Sequence, residues 1–208
     1  MRVWKGIKSP LLVTLALLLI CGLAYPLLLT GIGQLLFPSQ ANGSLIRIDG
    51  QAIGSELIGQ DFTDARFMKS RPSAVNYNTY TQEDKDRGQY AGPGSGSPNY
   101  AATNPDLLER VEADMAEFLE SNPSVKREDL PTDLLTASGS GLDPHISPAS
   151  AAIQIPALAE ATGLSQRTLE AIVKENTLGK FLGVFGEETV NVLKVNLEIA
   201  KELGLLEK

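Results

Sequence analysis

From Ser9 to Ile46 the chain carries no Asp, Glu, Lys, Arg or His. Within that stretch Leu11 to Leu29 is nineteen residues of almost unbroken apolar character, softened only at Thr14, Cys21, Gly22, Tyr25 and Pro26. A helix rises about 1.5 Å per residue, so roughly 20 such residues cross the ~30 Å hydrocarbon layer of a bilayer. The pattern predicts a transmembrane helix over residues 10–36. Pro26 would break a soluble helix, but a membrane helix tolerates it, with a kink as the expected result. A cleaved signal peptide shares the basic start. Its apolar region, however, runs only about 7–15 residues and ends in a small-x-small site. Here the run is longer and stays apolar through Leu35, Leu36 and Phe37, so an uncleaved span is expected.

Basic residues set the expected orientation. Arg2, Lys5 and Lys8 precede the span, and no Lys or Arg follows it until Arg47. The positive-inside rule then puts residues 1–9 in the cytoplasm and residues 37–208 outside. A single helix without those charges neither lines a pore nor relays ions. Gly22, Ala24, Gly31 and Gly33 allow close approach of a neighbouring helix, and a plain lipid anchor explains them equally well.

The remaining residues have the composition of one globular domain. Apolar residues make up 43% of the chain and charged residues 21%. Removing the three N-terminal positive charges from the net charge of −7 leaves −10, a poor match for a phosphate backbone. Cys21 is the only cysteine and lies inside the apolar segment, so neither an intrachain disulfide nor a cysteine zinc site is available. No metal site is expected.

An α+β domain is expected, with short strands, a hairpin and three or four helices. Leu45–Ile48 and Gln51–Ile53 flank Asp49-Gly50, a pair suited to a two-residue type I′ turn. Residues 57–68 predict short strand or turn pieces, and Arg71-Pro72 predicts extended chain. Residues 76–103 read as a long, flexible surface loop, loosest at Gly92–Pro98. A helix follows, capped by Asn104 and opened by Pro105, with Leu108, Val111, Met115, Phe118 and Leu119 as its apolar stripe. Residues 131–136 are expected to lead into a short strand. Ser147-Pro148 opens a helix to about Thr162, kinked at Pro156 and stopped by Gly163. Ser165 caps another over Gln166–Asn176. Thr189–Leu197 reads as a buried strand with a bulge between Val192 and Val195, and Glu198–Leu206 as a helical tail.

Three patterns bear on chemistry. His145, the only histidine, sits in a Ser- and Gly-rich run with Asp143, which raises a hydrolase triad. A triad needs a base oriented by an acid and a nucleophile on a tight turn, and no Gly-x-Ser-x-Gly elbow is present. A structural turn is the preferred reading, with no catalytic residue. The glycines of the same run suit a phosphate loop, but the Lys-Ser/Thr ending of a P-loop is missing. Residues 157–169 have helix-turn-helix spacing. With few basic residues and an outside location, a packed helical hairpin is expected there instead, and no nucleic-acid partner.

The chain resembles KdpC, the C subunit family of the bacterial potassium-transporting P-type ATPases. The likeness is carried in order by the single span, then by Gln40–Leu45, Gly54–Phe62 and Arg71-Pro72-Ser73-Ala74. The run Thr136–Ser147, Gln154-Ile155-Pro156 and Val190-Asn191-Val192-Leu193 complete it. It departs from the family pattern at Pro98–Asn104 and at Ala157, where the family has arginine. The resemblance implies an accessory subunit of a high-affinity, ATP-driven potassium uptake complex, assisting assembly and acting as a catalytic chaperone. The implied partners are a potassium-channel-like subunit, an ATP-hydrolysing subunit and a small single-span subunit. No covalent cofactor is implied, and ATP enters through the complex. Ser138, Ser140 and Gln154 are the candidate nucleotide contacts. Arg71, Ser73, Asp143, His145 and Asn191 are candidate structural or partner-contact positions. The alternatives are a membrane-anchored extracytoplasmic enzyme and a membrane-tethered regulator.

Overall fold

The structure, a computed structural model, describes residues 2–88 and 92–206. It divides into two compact units, one ending at Leu45 and one beginning at Ile46.

The first unit is a nearly continuous helix. Helix α1 (Arg2–Leu19) passes into one π-helical turn (Ile20–Ala24) and on into α2 (Tyr25–Leu36). The π turn has a local cause. Pro26 lacks an N–H, and its ring would crowd the carbonyl of Gly22, four residues earlier. Widening the preceding turn, so that Tyr25 N–H reaches the Ile20 carbonyl, gives the ring room. The kink expected from the proline is thus a one-residue bulge. Gly6–Leu36 is 31 residues long, its most apolar 18-residue window has a mean hydropathy of 2.5, and it is the one helix among the described residues that is long and apolar enough to cross a membrane. It stops at Leu36 because Phe37 precedes Pro38 and leaves the helical region (φ −136°). A single turn, α3 (Pro38–Ala41), follows, and the side-chain amides of Gln34 and Asn42 pair across it at 3.0 and 3.2 Å.

The predicted hairpin, β1 (Leu45–Ile48) and β2 (Gln51–Ser55), begins at the boundary residue Leu45 and otherwise belongs to the second unit. Asp49 (φ 50°) and Gly50 (φ 80°) supply the positive dihedrals of its turn. Beyond it the chain runs irregularly to a short capped helix, α4 (Gln82–Asp86), then to α5 (Pro105–Ser121). Asn104 caps α5 as expected, its Oδ1 accepting from Asp106 N–H. The inward face of α5 keeps the predicted Val111, Met115, Phe118 and Leu119 and differs from the predicted stripe at one position. Leu108 is exposed, and Leu107 is half-buried in its place beside Val111, Met115 and Phe118.

Residues 132–134 form a 3₁₀ turn, and the strand expected just after them begins only at β3 (His145–Ile146). Next come α6 (Pro148–Ala152), α7 (Ile155–Thr162), α8 (Gln166–Glu175), β4 (Thr177–Leu178), β5 (Thr189–Asn191) and α9 (Val192–Glu202). The single kinked helix expected over 149–162 is therefore two helices, with Pro156 in the first turn of the second. Gly163, at φ 74°, closes α7 in the left-handed conformation that favours glycine. The β strand expected at 189–197 keeps only its first three residues. At Asn191 the chain turns into α9, so the supposed bulge is a helix start.

β5 lies between β3 and β4, antiparallel to both, with His145 opposite Asn191 and Thr177 opposite Val190. The core includes Met68, Ile146, Leu158, Leu169, Val190, Val195 and Ile199. Burying each such side chain stabilises by about 1.5–3 kcal/mol. Met68 reaches the centre on a segment without regular secondary structure that is held by two side-chain amides. Asn196 brackets Met68, accepting from its N–H at 2.7 Å and donating to its carbonyl at 2.9 Å. Gln154 does the same for Lys69, at 2.8 and 3.3 Å. Both amides imitate a neighbouring strand where none is present. Among the described residues no buried side-chain nitrogen or oxygen lacks a hydrogen-bond partner.

Candidate functional site

Residues 136–147 draw most of the predicted positions together. The run begins as a tight turn. Gly141 N–H donates to the Ser138 carbonyl at 3.2 Å and to Ser138 Oγ at 2.9 Å, and Leu142 N–H donates to Ser140 Oγ at 3.1 Å. The two hydroxyls lie 3.3 Å apart. Gly141 has φ 67°, and a Cβ there would meet the Gly96 carbonyl at 2.8 Å, so both backbone and space require glycine. The Gly92–Pro98 stretch, read as the loosest of the loop, is tied down at Gly94 and Gly96. Gly96 N–H donates to Ser140 O at 2.7 Å, and Gly94 and Asn78 exchange two hydrogen bonds.

Ser73 braces the turn from outside. Its hydroxyl donates to Gly141 O at 2.6 Å and accepts from Tyr77 N–H at 2.9 Å. The Tyr77 hydroxyl donates to Arg71 O at 2.8 Å. Burial pushes that phenol up to about 12.

Asp143 is the hub. Its Oδ2 accepts from Arg71 Nη1 at 2.9 Å, and its Oδ1 accepts from His145 N–H at 3.0 Å and faces His145 Nδ1 at 3.3 Å. Burial raises the Asp143 pKa, but the His145 hydrogen bonds and the Arg71 charge outweigh it, and the carboxyl lies below its ordinary value. A shallow open depression is lined by Leu57, Ile58, Arg71, Ser138, Ser140 and His145, with Asp143 at its wall. A second cleft, of about 320 Å³, shares Arg71 and is lined also by Asp61, Lys69, Tyr77, Asp114 and Glu117.

Of the remaining two predicted positions, Asn191 adjoins the cluster and Gln154 stands apart. Asn191 pairs across the sheet with His145, its Nδ2 donating to Glu56 O at 2.9 Å and its Oδ1 capping α9 at Lys194 N–H, 3.1 Å. Gln154 lies in the core at 2% exposure, with its amide bonded to Lys69 and to Ser150 O. It is not part of the depression that Ser138 and Ser140 line.

In chemical terms the cluster is an ion-paired brace. Asp143 does orient an imidazole, as an acid would in a triad. Among the described residues, though, no serine hydroxyl hydrogen-bonds His145, and the hydroxyls of Ser138 and Ser140 accept from their own turn. The one guanidinium at the depression is already paired. Among the described residues no group of three or more His, Cys, Asp and Glu side chains is placed to hold a metal ion.

One contributor escaped sequence reading. Asp133 accepts from Ser147 N–H at 2.7 Å and from the hydroxyls of Ser147 and Ser150 at 3.1 and 2.7 Å, which anchors the start of α6. Burial raises its pKa, but these bonds outweigh it and leave it lowered. Nothing local marks Asp133, because its partners lie 14 and 17 residues away.

Residues 7–201 match the family described as KdpC: K+-transporting ATPase, c chain. Among relatives, the chain is 73% identical over 205 residues to the potassium-transporting ATPase KdpC subunit of Clostridium kluyveri, covering 99% of this chain and 98% of the relative. It is 61% identical over 207 residues to the subunit of the same name from Clostridioides difficile (97% and 100% covered). The corresponding subunit of Caldanaerobacter subterraneus subsp. tengcongensis is 47% identical over 199 residues (96% and 96%).

Proposed function

The chain belongs to the KdpC family, and we propose that it is an accessory, non-catalytic subunit of an ATP-driven potassium uptake complex. The observation that carries this is the extent of the match. Residues 7–201 include both the apolar helix and almost the whole domain, so likeness to the family is not confined to an anchor or to one motif. From Ser9 onward the helix has no Asp, Glu, Lys, Arg or His, which makes it a docking and anchoring element rather than a conduit. The polar groups of residues 138–147 bind one another and their neighbours, which suits a rigid binding body more than a catalyst.

In this reading the N-terminus is cytoplasmic and the domain lies on the outer face, because Arg2, Lys5 and Lys8 precede the span. Its partners are a channel-like potassium subunit, an ATP-hydrolysing subunit and a small single-span subunit. The subunit stabilises their assembly and aids ATP use indirectly, by favouring one conformation of the pump. A strain whose copy lacks residues 40–208 should fail to grow at micromolar potassium. Normal growth with a normally assembled pump would refute the reading.

A further inference from the structure

The β4–β5 connection carries an apolar tip that no described residue of the domain covers. Phe181, Leu182, Val184 and Phe185 are each 64–76% exposed. One exposed leucine is ordinary, but four large apolar side chains within five residues of a single turn are not. The tip is an ordered small hairpin. Phe181 N–H donates to Phe185 O at 2.8 Å, and Phe185 N–H returns a bond to Phe181 O at 2.9 Å. Leu182 sits at φ 53°, in the left-handed region that asparagine or glycine adopts more readily. Exposure and backbone conformation at Leu182 both work against the isolated domain, and a contact outside the domain would offset both.

We infer that this tip inserts into an apolar pocket with a basic rim on another subunit of the potassium-transporting complex, an inference that rests on reading the chain as such a subunit. Charge selects the occupant. Lys180 is the only cation in residues 178–188, and it lies 3.4 Å from Glu187, whose side chain is 86% exposed. Glu188 follows directly. An anionic bilayer repels such a segment, which also lacks the Trp, Tyr and Arg of interfacial anchors. A second copy, meeting tip to tip about a two-fold axis, would set these carboxylates against each other. The tip is also far smaller than the roughly 20–30 residues a side that hold a free-standing pair together. Within a complex already joined through a membrane helix, high effective concentration lets a small anchor suffice.

The test uses the intact chain in the assembled complex. With the photo-crosslinker p-benzoylphenylalanine in place of Leu182, irradiation should join the chain to another pump subunit, identified by mass spectrometry. Leu182→Asn keeps a residue that accepts the left-handed backbone, so the melting temperature of the full chain in detergent should not fall. The same variant, and Phe185→Ser, should each lower co-purification with the pump by roughly tenfold. Cross-links only to lipid, only to a second copy, or to nothing in a complex that still co-purifies would overturn the inference, as would undiminished co-purification of both variants. If the unaltered chain fails to co-purify at all, the subunit reading itself is refuted and the inference falls with it.

Discussion

Asp133 anchors the Ser147 end of the segment that the candidate positions share, Asp143 ties its middle to Arg71, and both carboxyls have a pKa below the ordinary value. A carboxyl whose folded pKa is depressed contributes stability that is fully present above its unfolded pKa, about 3.9. That contribution is lost as pH falls through the lower folded value. Unfolding free energy, measured on the full chain in detergent, should therefore decline below about pH 5. Asp133→Asn and Asp143→Asn should each flatten that decline and cost about 1–3 kcal/mol near neutral pH. An acid limb unchanged in both variants would show that other carboxyls set it. Gly59→Ala is a steric test of the same region. Its Cβ would meet the Asp143 carbonyl at 2.7 Å and the Tyr77 ring at 2.5 Å, and the carbonyl cannot give way as a flexible side chain would. A loss of about 1–3 kcal/mol in a denaturant titration is expected. Arg71, Ser73, Asp143 and His145 were legible in the sequence as members of distinctive runs. Their mutual geometry was not, because Arg71 and Asp143 are separated by 72 positions and only the folded chain makes them a pair.

Elements with strong local signals were legible, and the rest depended on distant packing. The hairpin was visible because Asp49-Gly50 supplies its own turn chemistry, and α5 because Asn104-Pro105 marks its start. Strands β3 and β4 have two residues each, too few to show an alternation. The error at 189–197 has a specific cause. Val190, Val192, Leu193 and Val195 favour a strand by local preference, and over so few residues an apolar run fits either period. Val192, Val195, Asn196 and Ile199 lie on one helical face, and the buried polar Asn196 was the available sign that this face meets backbone. Asn191 decides where the helix starts, since its Oδ1 caps α9 while its Nδ2 binds Glu56 O. Asn191→Ala should cost about 1–2 kcal/mol. Asn191→Asp should recover the capping part but not the bond to Glu56, so its denaturation midpoint should fall between the two. Equal midpoints for Ala and Asp would remove capping as the reason.

At the scale of the whole molecule the helix, charge-free from Ser9 onward, and the acidic domain constrain each other. If residues 1–9 face the cytoplasm, the domain and cytoplasmic ATP lie on opposite sides of the bilayer, and no nucleotide reaches the Ser138–Gly141 turn. The turn is consistent with that separation, because Gly141 and Leu142 N–H donate to its own serine hydroxyls. Two measurements examine this jointly. A phosphatase that folds only outside the cytoplasm should be active when fused after the last residue of the domain, and a reporter that requires the cytoplasm should be silent there. In the assembled pump, a photoreactive ATP analogue should label the ATP-hydrolysing subunit and leave this chain unlabelled. On the proposed reading, removing the domain should still weaken the pump's apparent affinity for ATP, because a remote subunit that favours one conformation can bias it. A labelled peptide containing Ser138 and Gly141 would place nucleotide on this chain. With an externally active reporter, that result would require a route for ATP across the membrane. With a cytoplasmic reporter, it would mean that the three N-terminal basic residues do not set the orientation, and the domain would be a direct nucleotide-binding partner on the inner face.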